Sequence, residues 1–108
     1  MKYINIAKNY FSYFKNKDIE KLASLFSNKI SLKDWNIELN GIKDVIDQNK
    51  IIFNDLGQFD LIINNIYEID KIIFAEIEII TEKEEAKVID KIEFNSDDLI
   101  IKITAYKG

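Results

Sequence analysis

Neither Cys, His, Arg nor Pro occurs in the 108-residue sequence, and only three residues are Gly. The absence of Cys excludes a disulfide framework, thiol catalysis and thiolate metal sites. Without His, the chain lacks the usual general base, the base of a Ser-His or Cys-His pair, and the commonest metal ligand. Asp, Glu, Tyr and Lys therefore remain for any acid and base chemistry.

The charged residues argue against two classes of partner. Every basic residue is Lys and the net charge is −4, so the chain has neither the planar fork of Arg nor the positive surface that nucleic acids need. Lys and Asn interrupt the first apolar residues, which predicts neither a signal peptide nor a membrane span. We expect a cytoplasmic protein with no nucleic-acid or membrane partner.

Length and composition predict one domain covering residues 1–108. Apolar residues make up 47% of the chain, which suffices for a single core. There is no linker-like run and no internal repeat. We therefore expect one compact unit.

Three helices are predicted in the first half of the chain. Apolar residues recur at helical spacing over residues 3–14, and Asp18 is a suitable N-cap for a short second helix. A third apolar stripe begins after Gly41 and ends at Gly57, where a left-handed C-cap is expected. This stripe carries one polar residue, Asn49.

The remaining segments alternate like strands. Residues 30–40 predict two short strands, and the second half of the chain predicts four more, over residues 59–69, 73–79, 85–94 and 99–105. The short connections between these four favour an antiparallel meander. The predicted fold class is α+β, with three N-terminal helices packed on one face of a strongly curved antiparallel sheet.

Asp90 is the most informative polar residue. Strand alternation places it between Val88 and Ile92 in an otherwise apolar, inward-facing row. A carboxylate in such a row must be hydrogen-bonded, protonated, or open to a cavity that admits solvent or ligand. Asp34 ends a similar row, although it could equally serve the turn that follows it.

Other side chains should join these two acids around a ligand pocket. Polar residues predicted to face inward are Tyr10, Asn49, Asn65 and Tyr67, and the pocket walls are predicted to include Phe14, Trp35 and Phe53. Each of these polar groups could instead be a satisfied core or rim residue.

The opposite face of the sheet is also partly apolar. The residues predicted to lie there are Ile62, Ile66, Phe74, Ile80, Ile89 and Ile100. An apolar patch of this size usually marks an interface, so we expect a homodimer through the outer sheet face.

Two segments carry a resemblance to a known family. Residues 14–26 (FKNKDIEKLASLF) and 88–94 (VIDKIEF), in this order of elements, resemble the nuclear transport factor 2-like superfamily. Within it, the chain resembles the SnoaL-like and ketosteroid isomerase-like branch over nearly its whole length. This resemblance implies a cone-shaped α+β barrel.

The resemblance also implies functional roles. Tyr10 and a protonated Asp90 match the oxyanion-hole donors of ketosteroid isomerases, and Asp34 matches the base, whereas Trp35 and Asn36 stand where many relatives have Asp-Pro. The implied activity is a cofactor-independent isomerase, or a related cyclase or dehydratase, acting on a small apolar carbonyl compound. No metal or other cofactor is implied.

Other members of the superfamily suggest different functions. Its epoxide hydrolases use an Arg between two Asp residues and its scytalone-type dehydratases use His, and this chain has neither Arg nor His. A non-catalytic ligand-binding or dimerisation module of the same fold is the alternative that stays open.

Overall fold

The computed structural model describes residues 1–108 and contains three helices and six strands. The helices are α1 (Lys2–Lys15), α2 (Ile19–Leu25) and α3 (Ile42–Leu56). The strands are β1 (Phe26–Lys33), β2 (Glu38–Asn40), β3 (Asp60–Ile69), β4 (Ile72–Ile80), β5 (Glu85–Phe94) and β6 (Ile100–Lys107). The predicted α+β fold class is confirmed.

The six strands form one sheet in the order β2-β1-β6-β5-β4-β3. The last four strands pair antiparallel, because short turns join them, as the sequence predicts. One pair departs from the predicted antiparallel sheet: β1 runs parallel to β6, so the sheet is mixed. No turn connects these two strands, and their direction is therefore free of that constraint. The sheet stays open at β2 and β3 and does not close into a barrel.

The helices cover the inner face of the sheet. The α1 stripe is buried as predicted, and Asp18 caps α2 by accepting a hydrogen bond from the Lys21 N–H at 3.2 Å. None of the three helices has the length and apolar character needed to cross a membrane. The largest fully buried side chains lie between the two layers: Leu22, Ile30, Val45, Ile73, Ile92 and Ile100.

An irregularity in β3 changes which side chains face inward. The register of β3 on β4 shifts between Ile63 and Asn65, which reverses the alternation beyond this point. Ile66 consequently packs against the core, whereas Asn65 is exposed and Tyr67 is 51% exposed. The predictions that Asn65 and Tyr67 face inward and Ile66 outward are therefore wrong.

A second irregularity has the same effect on β6. The pairing of β5 with β6 shifts between Glu93 and Phe94, and Phe94 pairs with Ile100. Ile100 is fully buried. It lies in the core and not on the outer face where uninterrupted alternation would place it.

The backbone turns sharply where α3 ends. Gly57 has φ 62° and ψ −135°, so its φ is positive as predicted, but its ψ differs from that of a left-handed C-cap. Side chains disfavour this region because of their Cβ atom. Gly57 is therefore required by the backbone conformation, although no atom lies within 4 Å of where its Cβ would be.

We predict that Gly57→Ala lowers the free energy of unfolding by about 1 to 3 kcal/mol, because the alanine must hold a conformation that strains its backbone. Urea denaturation measures this change. Gln58→Ala, at the exposed neighbouring position, is the control and should leave stability unchanged. A wild-type unfolding midpoint for Gly57→Ala would contradict the prediction.

Candidate functional site

A cavity of about 300 Å³ opens between the helix layer and the inner face of the sheet. Its walls come from the C-terminal halves of α1 and α3, from strands β3 to β6, and from the end of β1. Fourteen of its eighteen lining residues are hydrophobic. The other four are Asp34, Asn49, Glu84 and Asp90, so few polar groups converge on an apolar space, as in many small-molecule sites.

Asp90 occupies the middle of β5 on the cavity wall. Its cross-strand neighbours are Ala75 and Ala105, whose small side chains leave space around the carboxyl group. Asp90 is only 8% exposed, and neither of its oxygens is hydrogen-bonded within the protein. Burial raises the pKa of Asp90 to about 7, because the charged form loses its water without gaining a partner. At and below neutral pH this side chain is substantially a neutral acid.

Tyr10 lies on the helix layer of the same cavity. Its ring contacts Phe11, Phe14 and Phe26 at centroid distances of 5.1, 6.1 and 6.2 Å. Burial, and to a smaller extent the charge of nearby Asp90, raises the pKa of Tyr10 well above its usual range. The phenol therefore stays protonated and is available as a hydrogen-bond donor.

Asp34 both forms part of a turn and lines the cavity, the two placements that the sequence left open. It begins the turn between β1 and β2, where its Oδ1 accepts hydrogen bonds from the N–H groups of Asn36 at 2.7 Å and Ile37 at 2.8 Å. It also lines the cavity and is half-buried. No hydrogen bond within the protein engages its Oδ2.

Trp35 extends the wall next to Asp34. Its side chain lines the cavity while remaining 49% exposed, which places it where the cavity meets solvent. The Lys107 ammonium lies 5.9 Å from the ring centroid. Such a contact favours this position of the indole.

Phe14, Trp35 and Asn49 thus line the cavity, whereas three other residues predicted to line it do not. Phe53 is buried behind the wall, where its ring packs against Phe14 at 4.9 Å. Asn65 and Tyr67 lie on the other face of the sheet because of the irregularity in β3. The structure therefore does not place these three residues in the cavity lining.

The sequence analysis also missed cavity residues. Ile52 and Leu56 line the cavity, and their spacing from Asn49 along α3 would have identified them. Glu84 belongs to a charged turn, which the sequence predicts to be a solvated hairpin. The fold brings this turn to the cavity, where Glu84 is a lining residue. No signal in the sequence marks this placement.

The Asn49 amide is unusual within the protein. Its Nδ2 has almost no accessible surface and no hydrogen-bond partner, and Asn49 is 4% exposed. An unmet buried donor destabilises a fold by about 1 to 3 kcal/mol. It therefore points to a group that is satisfied by something other than the protein.

The arrangement of these side chains is suited to proton transfer. No three or more Asp or Glu side chains are grouped so that they could hold a metal ion. A neutral acid and a phenol can donate hydrogen bonds to a carbonyl oxygen, while a carboxylate on the same cavity can accept a proton.

The sequence matches no protein-family model and no curated protein. Solved structures are nevertheless similar over almost the whole chain. A nuclear transport factor 2-like protein of unknown function from Cytophaga hutchinsonii ATCC 33406 is 6% identical, with a TM-score of 0.85 over 100% of this chain and 91% of that chain.

Two further neighbours have functional names. A protein from Kribbella flavida DSM 17836, provisionally named a ketosteroid isomerase, is 15% identical, with a TM-score of 0.86 over 96% of this chain and 76% of that chain. A protein from Shewanella denitrificans OS-217, provisionally named a SnoaL-like polyketide cyclase, is 10% identical, with a TM-score of 0.83 over 98% and 90%. At these identities the similarity establishes the fold, which is the one that the sequence resemblance implies.

We predict that Asp90→Asn changes how stability depends on pH. The pKa of Asp90 is about 7 in the folded protein and about 3.9 in an unfolded chain, so the folded state binds more protons between these values. Wild-type stability should therefore fall as the pH rises through this window. Between about pH 4 and pH 8, the free energy of unfolding of Asp90→Asn should gain on the order of 4 kcal/mol over wild type.

Chemical denaturation across this pH range measures the difference. Asp97→Asn, in the exposed turn between β5 and β6, is the matched control and should follow the wild-type curve. Parallel pH profiles for Asp90→Asn and wild type would show that the carboxyl group is not desolvated.

Proposed function

We propose that the protein is a cofactor-independent isomerase that binds a small apolar carbonyl compound and removes a proton from the carbon next to the carbonyl. One observation carries this proposal: Tyr10, Asp34 and Asp90 line the same apolar cavity. The three side chains come from α1, the β1–β2 turn and β5, which are far apart in sequence.

The two proton donors would bind the substrate oxygen. As the proton leaves the carbon, negative charge develops on this oxygen, and hydrogen bonds from Tyr10 and neutral Asp90 become stronger. The surrounding apolar walls increase this stabilisation because they keep water away. Asp90 must be protonated to donate, so activity should decline as the pH rises through about 7.

Asp34 would accept the proton. Two backbone N–H groups hold its Oδ1, so the carboxylate is fixed in position while its Oδ2 is free to act as the base. Returning the proton to another carbon of the enolate would complete an isomerisation. All steps use side chains of this chain alone.

Ligand binding without catalysis is the second candidate function. The hydrogen bonds that Asp34 accepts are those of an ordinary turn and need no catalytic explanation. In this case, the cavity would bind the same class of carbonyl compound without exchanging its protons.

We predict that Asp34→Asn slows proton exchange next to the carbonyl of a cyclic enone by roughly 100-fold or more, because the amide is a poor base. Deuterium uptake followed by NMR measures this rate. The Asn oxygen can still accept both backbone hydrogen bonds, so folding should be preserved.

Asp70→Asn is the control, since Asp70 lies in an exposed turn with φ 54°, a conformation that Asn tolerates. This variant should exchange protons at the wild-type rate. Equal exchange by wild type and Asp34→Asn, with the enone still bound, would favour the binding module.

The outer sheet face supports a proposed homodimer. The exposed apolar residues of this face are Ile62, Tyr67, Ile69, Ile89 and Tyr106, each at least 40% exposed. Ile89 lies between its cross-strand neighbours Glu76 and Tyr106. Such a patch on one face is typical of a surface that a second copy covers.

We predict that Ile89→Glu weakens the dimer at least about 30-fold, because it buries an unpaired charge in the contact. Sedimentation equilibrium measures the dissociation constant. Ile51→Glu is the matched control, since Ile51 is 53% exposed on α3, away from the sheet. A wild-type chain that sediments as a monomer would contradict the proposed interface.

A further inference from the structure

Asn49 supplies information about the ligand that the proposed proton transfer does not use. Its side chain belongs to the helix wall of the cavity, whereas Asp90 belongs to the sheet wall. The amide is 96% buried and its Nδ2 has no acceptor within the protein. The cavity therefore carries a second polar group, the Asn49 amide, on a different wall from Asp90.

The fold gives no reason for an amide at this position. The neighbouring residues of the same stripe, Val45, Ile52 and Phe53, are apolar, and the helix needs no side-chain hydrogen bond here. A Leu of similar size would fill the space without leaving an unmet donor. The amide thus contributes a polar group to the cavity and no hydrogen bond to the structure.

The charges around the cavity limit what this second polar group can bind. Its other polar lining residues are Asp34, Glu84 and Asp90, and no Lys lines it. A carboxylate or phosphate ligand would face these acidic side chains and find no Lys among the lining residues, since Lys107 lies outside the lining, against the Trp35 ring. The lining therefore favours an uncharged group at Asn49.

We infer that the ligand is a neutral carbonyl compound that also carries a hydroxyl group on a separate part of its skeleton, and that this hydroxyl binds the Asn49 amide. Nδ2 as placed has almost no accessible surface, so the hydroxyl pairs with the amide atom that faces the cavity. A hydroxyl both donates and accepts, and it therefore suits either orientation of the amide. The inference rests on the proposed function for the carbonyl end and adds the second recognition point.

Isothermal titration calorimetry with a matched series of ligands tests this inference. The probes are octalone, which is a bicyclic enone, a set of hydroxyoctalones and a carboxylate analogue. The hydroxyoctalones are isomers of one another that carry the hydroxyl at each position in turn. Wild type should bind at least one hydroxy isomer about tenfold more tightly than octalone, which is the gain expected from one good hydrogen bond. The carboxylate analogue should bind about tenfold more weakly than octalone.

Asn49→Leu should abolish the tenfold preference for the hydroxy isomer over octalone. Its folding should be unimpaired, because the substitution removes an unmet buried donor. Asn54→Leu, at an exposed position of α3, is the control and should keep the preference.

The inference is overturned if no hydroxy isomer binds more tightly than octalone, including the case in which none binds, or if Asn49→Leu keeps the preference. Equal binding of octalone and the carboxylate analogue would overturn the requirement for a neutral ligand. Failure of the proposed function is seen separately, as proton exchange of octalone that does not respond to Asp34→Asn. A wild-type protein that exchanges protons normally but shows no hydroxyl preference rejects the inference alone.

Discussion

The site depends on an acid placed in an apolar cavity without a partner in the protein. Asp90 sits between two Ala residues of neighbouring strands, and burial alone raises its pKa to about 7. A fully packed core could not keep such a group, because the desolvated carboxylate would have no compensation. The cavity allows the fold to keep this acid without a protein partner. The neutral acid would in turn give the cavity a hydrogen-bond donor.

The rest of the fold fixes the groups that face this acid. Contacts at the start of α1 attach it to the sheet: the Tyr3 hydroxyl donates to Asp98 Oδ1 at 2.7 Å, and the Ile4 N–H donates to Glu68 Oε1 at 2.9 Å. Two turns later, aromatic packing holds the Tyr10 ring. The position of the phenol at the cavity wall therefore follows from hydrogen bonds at one end of α1 and from ring contacts at the other.

Local periodicity predicted much of the structure and part of the site. The stripe of α1, the N-cap at Asp18 and the alternation that turns Asp90 inward all depend on neighbouring residues, and the structure has all three. Asn65 and Tyr67 were misplaced because one extra residue in β3 reverses the alternation, and no residue type there signals it. The parallel pairing of β1 with β6 and the position of Glu84 at the cavity arise from contacts that are distant in sequence, which periodicity does not encode.

The proposed mechanism depends on the protonation of Asp90, and NMR of the Asp carboxyl carbons, assigned with Asp90→Asn, measures it directly. We expect the Asp90 signal to titrate with a midpoint near pH 7 in the free protein. A carbonyl compound bound in the cavity should move this midpoint upward, since it accepts a hydrogen bond from the neutral acid. A midpoint near the ordinary value of about 4, unchanged by ligand, would mean that the carboxyl group is solvated and would contradict the account.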